Sequence, residues 1–187
     1  MLLKNALDIS HRIIEKAVAK GDVVVDATAG NGNDTLFLAK LVGDEGKVFA
    51  FDIQDMAIKN TRKRLTDNNA EKPVVLIQDG HENMDKYVPK GIKAVMFNLG
   101  YLPGGDHSIG TKSSSTIEAI EKSLCLLEAG GIIMMDIYYG GDSGFDEKEA
   151  IMEYIKSIDY KKAVVLVHEF ANQINCPPIA VCIEKSR

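Results

Sequence analysis

This sequence carries no excess of positive charge. Its formal net charge is −5, from 22 Lys and Arg against 27 Asp and Glu. A general nucleic-acid coat protein would be basic overall, so that class is set aside; an RNA-modifying enzyme with a local basic face is not. Cysteine is also scarce. Cys125, Cys176 and Cys182 are odd in number and include no C-x-x-C pair, so neither a disulfide framework nor a zinc site is indicated. Reduced thiols in a cytoplasmic protein are the expectation. No apolar run approaches the roughly 20 residues of a membrane span. Met1 to Asp8 carry Lys4 and Asp8 and do not form a signal peptide. Internal repeats, low-complexity stretches and interdomain linkers are missing too.

What is present is an ordinary globular composition, 45% hydrophobic and 26% charged over 187 residues, enough for one domain spanning the chain. Helical spacing of Ile9, Ile13, Ile14, Ala17 and Val18, with Ser10 or Asp8 as cap, predicts a first helix ending before Gly21. Val23-Val24-Val25 then reads as a buried strand. Thr35–Leu41 is a helix, Lys47–Asp52 a strand, Met56–Leu65 a helix and Val74–Gln78 a strand. Ala94–Asn98 is a fourth strand, followed by a long loop. Ser115-Thr116-Ile117-Glu118 fits a capping box for a helix reaching about Leu127 and stopped by Gly130-Gly131. Ile132–Ile137 is a strand, Glu147–Ile158 a helix, and Ala163–Glu169 and Ile179–Glu184 are two closing strands. Strands alternate with helices until the last pair, whose short link leaves no room for a crossover helix. The expected fold is α/β: a Rossmann-like, doubly wound, mostly parallel seven-stranded sheet with one antiparallel strand near the edge.

Between the first strand and its helix lies Asp26-Ala27-Thr28-Ala29-Gly30-Asn31-Gly32-Asn33-Asp34-Thr35. Gly30 and Gly32 form a G-x-G where the backbone must turn tightly and approach a ligand. Asp52, twenty residues beyond Gly32, has the spacing of a carboxylate that accepts ribose hydroxyls. A dinucleotide site would place a third glycine at Thr35. Asp26 at the strand end would repel a pyrophosphate but suits the amino group of S-adenosylmethionine. These features select S-adenosylmethionine as cofactor, with a nicotinamide-dependent oxidoreductase or a non-catalytic nucleotide-binding module as alternatives.

The fourth strand ends in Asn98-Leu99-Gly100-Tyr101-Leu102-Pro103-Gly104-Gly105-Asp106-His107. Ligands of open α/β sheets bind at the carboxyl ends of the strands, so this segment faces the same crevice as the glycine loop. An aliphatic amine, with a reference pKa of about 10.4, must lose a proton before it can attack a methyl group. Asp106 and His107 are candidate acceptors for that proton. The transfer needs in-line positioning and no metal. His11, His81 and His168 show no metal-ligand spacing.

The glycine loop and Asp52 resemble class I methyltransferases, and Asn98 and Tyr101 share the N-P-P-Y spacing of the amino methyltransferases, with Leu99-Gly100 in place of the prolines. The resemblance implies that the Asn98 oxygen and the following carbonyl accept hydrogens from the target nitrogen. It also implies that Tyr101 stacks on the base and that Asp79 lies at the adenine region. The two long strings quoted above, with Asn172-Gln173-Ile174-Asn175-Cys176-Pro177-Pro178, make the whole chain similar to the rRNA methylase family, which includes bacterial tRNA methyltransferases. That resemblance implies N-methylation of the 5-aminomethyl group of (2-thio)uridine at wobble position 34. Alternatives are an rRNA or small-molecule N-methyltransferase. The candidate catalytic set is Asn98, Tyr101, Asp106 and His107. The candidate cofactor-binding set is Asp26, Thr28, Gly30, Asn31, Gly32, Asn33, Asp34, Thr35, Asp52, Gln54, Asp79, His81 and Asn98. The implied partner is the tRNA anticodon arm, with no membrane and no metal, and a homodimer would suit so small a domain. Lys59, Arg62, Lys63 and Arg64 on one helix, and Lys161-Lys162, are candidate phosphate contacts.

Overall fold

The structure, a computed structural model, describes residues 4–100, 111–140 and 144–187. Seven strands make one sheet: β1 (Val23–Asp26), β2 (Lys47–Phe51), β3 (Val74–Ile77), β4 (Ile92–Leu99), β5 (Leu127–Ile137), β6 (Ala163–His168) and β7 (Ile179–Lys185). The helices are α1 (Ala6–Ala17), α2 (Asn33–Val42), α3 (Asp55–Asp67), α4 (Ser113–Leu126) and α5 (Gly144–Ser157), with a 3₁₀ turn at His81–Lys86. The sheet order is β3-β2-β1-β4-β5-β7-β6. Pairings are parallel from β3 through β5, while β7 runs antiparallel to both β5 and β6. This is the expected Rossmann-like sheet with a single reversed strand one place in from the edge. Its reversal follows from the short link between β6 and β7.

Because side chains alternate across a strand, β-branched and apolar runs supply two cores. Val25, Val95, Phe97, Ile133 and Val181 point to one face and pack with residues of α4 and α5. Val24, Val48, Met96, Ile132 and Met134 point to the other, covered by α1 and α2. Outside this double cover, the edge strand β6 leaves Val164 and Leu166 exposed.

Three local expectations fail. The cap of α1 is Asn5, whose side chain accepts the Asp8 N–H at 2.8 Å, whereas Ser10 is buried inside the helix. The Ser115–Glu118 capping box does not form. The α4 N-cap is Lys112 without a side-chain cap, and Glu118 instead pairs with Lys122 at 2.9 Å along the helix. Gly130-Gly131 do not end the helix, which stops at Leu126. They lie inside β5, where the register jumps from Ile92–Leu127 to Ala94–Ile132. Extra residues on one strand produce such a bulge, and glycine tolerates the left-handed φ of 77° at Gly130.

β1 is followed in sequence by strands on one side and β4 by strands on the other, so the order reverses between β1 and β4. The crevice at that reversal is where open α/β sheets bind ligands.

Candidate functional site

Loops after β1, β2, β3, β4 and β5 meet in a cleft of about 860 Å³ above this reversal. The glycine loop is built from within. Asp26, buried at the end of β1, accepts the Thr28 N–H at 3.1 Å and the Thr35 hydroxyl at 2.5 Å. Burial and the charge of Asp34 raise the Asp26 pKa, against the lowering effect of those two hydrogen bonds. Gly32 takes φ 76°, and a Cβ there would lie 2.8 Å from the Thr61 backbone, so only glycine lets the loop close on α3. Thr61 donates to the Gly30 carbonyl at 3.1 Å, and Arg64 donates to the Asn31 carbonyl at 2.6 Å.

The walls of the cleft include Thr28, Gly30, Asn31, Asn33, Asp34, Asp52, Gln54, Asp79, His81 and Asn98. Asp26, Gly32 and Thr35 are absent from these walls. Asp26 accepts from Thr28 and Thr35 and Gly32 faces α3, so these three shape the loop that carries the wall residues. Tyr101, Asp106 and His107 lie outside the described residues.

Asp52 follows β2, and its carboxylate accepts two backbone N–H groups, Gly30 at 2.9 Å and Gln54 at 2.9 Å. Asp79 holds the turn after β3: it accepts the Gly80 N–H at 2.8 Å, the Asn83 amide at 2.9 Å and the Tyr87 hydroxyl at 2.8 Å. Those bonds, the Tyr87 hydroxyl foremost, hold its pKa low. His81 is buried, and its Nδ1 donates to the Ala27 carbonyl at 3.0 Å, as a carbonyl can only accept. Burial lowers its pKa, so the ring is neutral at pH 7. Among the described residues its buried Nε2 has no hydrogen-bond partner.

On the other side of the reversal, β4 delivers Asn98. Its N–H donates to the Thr28 hydroxyl at 2.7 Å, which joins the two loops across the crevice. Its side-chain amide donates to Asp34 Oδ2. With the NH₂ group tied to a carboxylate, the Asn98 carbonyl oxygen is the acceptor end of the amide, and among the described residues nothing donates to it. The Leu99 carbonyl accepts the Tyr138 N–H at 3.1 Å. Asp34 also meets His11 Nε2 at 2.7 Å through Oδ1.

Several residues on or behind the walls carried no readable sequence signal. Ile53, exposed beside Asp52, has only its adjacency to a candidate ribose acid. Tyr138 follows β5 and stands half-exposed on the wall. His11 reaches Asp34 only because α1 crosses the sheet there. The buried Asp136 accepts the Ser10 hydroxyl at 2.9 Å. Burial and the Asp34 charge push the Asp136 pKa up to about 7, against Ser10 and His11.

The cation cluster on α3 is mostly engaged on its own helix or loop. Lys59 pairs with Asp55 at 2.5 Å, Lys63 pairs with Asp67 at 2.6 Å, and Arg64 serves the glycine loop. Among the described residues no cluster of three or more His, Cys, Asp or Glu side chains is arranged to hold a metal, and no helix is long and apolar enough to cross a membrane.

The family model described as "Putative rRNA methylase" matches residues 48–184. An Arabidopsis thaliana protein named tRNA (mnm(5)s(2)U34)-methyltransferase, chloroplastic, is 40% identical over 158 residues, covering 79% of this chain and 58% of that protein. The chain therefore spans less than two thirds of that relative. A structure from Clostridium thermocellum described as a "putative rRNA-methylase" is 61% identical with a TM-score of 0.96, covering 97% of this chain and 98% of that one. A Streptococcus mutans protein described as a "putative methyltransferase", solved in complex with SAH, is 42% identical with a TM-score of 0.89, covering 97% of this chain and 98% of that one. Strand order, glycine loop and these likenesses agree, and the chain belongs to the rRNA methylase family of S-adenosylmethionine-dependent methyltransferases.

Proposed function

We propose that the chain N-methylates the 5-aminomethyl group of (2-thio)uridine at wobble position 34 of tRNA, giving 5-methylaminomethyl-(2-thio)uridine. The observation that carries this reading is Asn98. Its NH₂ group is fixed on Asp34, so its carbonyl oxygen is an acceptor at the cleft, across from the glycine loop. An acceptor of that kind suits a nitrogen that must shed hydrogen. The wobble uridine itself is supported by the name of the Arabidopsis relative.

The cleft fits the cofactor. Its volume lies within the roughly 300–1,000 Å³ range of ligand sites. Each Asp52 oxygen accepts one backbone N–H and keeps a lone pair for a ribose hydroxyl. Ile53 supplies an apolar face beside Asp52, and Asn31, Asn33 and Gln54 complete the polar wall. When bound, S-adenosylmethionine supplies an electrophilic methyl group on a positive sulfur. The chain's own contribution is alignment: Asn98 holds the target nitrogen in line.

The anticodon base already lies in a loop, so presenting it costs less unstacking than extruding a paired base. Tyr138 offers an aromatic face on the described wall, while Lys112 on the wall and Lys148, 4.4 Å from the Tyr139 ring, place cations near the mouth. So few cations imply few phosphate contacts and a shallow salt dependence. The test incubates the protein and labelled S-adenosylmethionine with tRNA carrying 5-aminomethyl-2-thiouridine. Label is expected in the methylaminomethyl nucleoside, with none in tRNA lacking the aminomethyl group. Equal labelling of both tRNAs, or labelling of rRNA alone, overturns the reading.

A further inference from the structure

An aliphatic ammonium has no lone pair to attack with until a proton has left it. A group that takes the proton must sit within hydrogen-bond reach of the nitrogen that Asn98 holds. Asp34 occupies that place. It lines the cleft, and its Oδ2 receives the Asn98 amide, so the Asp34 carboxylate lies one hydrogen bond from the side chain that holds the target. It sits in the first turn of α2, where the positive end of the helix dipole favours a carboxylate.

Behind Asp34 stands His11, on α1. Its Nε2 meets Asp34 Oδ1 at 2.7 Å, and its ring stacks on Phe37 with centroids 4.0 Å apart and planes 7° from parallel. That packing holds the imidazole against the carboxylate.

We propose that Asp34 accepts the proton leaving the target ammonium and that His11, bonded to the far oxygen of Asp34, sets how readily it does so. This rests on the amine-methylation reading above. The N–H bond breaks and its electron pair stays on nitrogen, which forms the new bond to the methyl carbon. The C–S pair leaves with sulfur, which becomes neutral. The proton goes to Asp34 Oδ2 and leaves to solvent water from the cleft that Asp34 lines. Asp34 is the catalytic residue of the two, and His11 is a positioning residue.

The charges around the pair fix the direction of its pH response. His11 faces Asp34 from α2, Asp136 from β5 and Glu15 from its own helix. Asp34 in turn faces Asp26 from β1 and Asp136 from β5. Burial pulls the His11 pKa down, but the Asp34 hydrogen bond and these negative charges outweigh it, so the imidazole titrates above 6.5. Protonated His11 neutralises Asp34 and weakens it as an acceptor. As pH rises through the His11 pKa, the imidazole becomes neutral and Asp34 takes protons more readily, so kcat/KM climbs.

The test compares wild type, His11→Gln and Asp34→Asn on tRNA carrying 5-aminomethyl-2-thiouridine, after melting curves establish that each variant folds. In cofactor-free protein, NMR titration of the His11 ring is expected to give a pKa above 6.5 that falls in Asp34→Asn. Glutamine keeps a donor for Asp34 but does not titrate, so His11→Gln should lose the rising limb of the kcat/KM profile. Asp34→Asn should lower kcat on the order of 100-fold, the low end of general acid–base effects, with cofactor affinity retained. A His11→Gln profile that superimposes on wild type overturns the inference while leaving amine methylation standing. An Asp34→Asn enzyme that binds cofactor weakly but turns over normally at saturation also overturns it, making Asp34 a cofactor ligand. Failure of wild type to label the aminomethyl group removes the amine reading and the inference with it.

Discussion

The two halves of the cleft are held together in different ways. Around β1, β2 and β3, each acid is tied down largely by its own neighbourhood. Asp26 accepts from Thr28, Asp52 from Gln54, and Asp79 from Gly80 and Asn83, with the Gly30 N–H on Asp52 as the long-range exception. Around β4 and β5, partners come from far along the chain: Asn98 with Asp34, Asp34 with His11, Ser10 with Asp136, and Thr111 with Glu147 at 2.9 Å. A locally tied acid is set by turn chemistry and is positioned before any ligand arrives. A long-range pair is positioned only when the sheet and its covering helices are assembled. We read the first half as the cofactor side and the second as the target side, so damage to each should show in a different measurement.

The largest effect is expected on the target side. Asn98→Ala should lower kcat by about 100-fold, the scale of a misplaced reacting group, while calorimetry finds nearly normal cofactor affinity. Activity close to wild type would reduce Asn98 to a turn residue and erase the contrast. On the cofactor side, Asp52→Ala should show the opposite split. Losing a charged acceptor costs about 1.5–3 kcal/mol, or roughly tenfold to a hundredfold in affinity for S-adenosylmethionine. Unchanged affinity would remove Asp52 from the site.

A smaller effect should come from Asp136, where the contrast concerns stability. Its folded pKa, about 7, lies above the unfolded value near 3.8. The native state therefore binds more protons between those values, and stability falls as pH rises through that window, with the full penalty present above it. Asp136→Asn keeps an acceptor for Ser10 and removes the penalty. Its melting temperature should exceed that of wild type at pH 8 by about 2–4 °C for each kcal/mol recovered, and the gap should close at pH 4. A gap independent of pH would show that Asp136 is not the titrating group. The smallest effect is expected on α3. Lys59→Ala and Lys63→Ala break exposed pairs and should each change stability by less than about 0.5 kcal/mol. A large loss of RNA binding in either would restore α3 as a phosphate-binding face.

The same contrast governs what a reader of the sequence can see. Alternating strand and helix patterns, the G-x-G between β1 and α2, and the interval from Gly32 to Asp52 are local or regularly spaced features, and the sheet has the strand types they predict. Failures came where a residue had two uses. Ser10 is a good helix cap, yet α1 buries it because Asp136 needs a donor. Ser115 and Glu118 have capping-box spacing, but Lys112 starts the helix and Lys122 takes the glutamate. Asp26 and Thr35, expected at the cofactor, also bond to each other at 2.5 Å, a partnership no local pattern announces. Arg64, one of a run of cations, also donates through its Nε to the Asn31 carbonyl.

By itself the sequence determined the periodicities that make seven strands and five helices, the glycine needed at position 32, and the acid placed to follow β2. These depend on neighbours within a turn or a strand, where backbone sterics and side-chain alternation act directly. Only the tertiary structure decided which polar groups face the cleft and which face each other. The strand order sets β4 beside β1, and the packing of α1 on the sheet carries His11 to Asp34 and Ser10 to Asp136. A buried carboxylate must find a donor wherever the fold brings one, and no local pattern in the chain records which donor that will be.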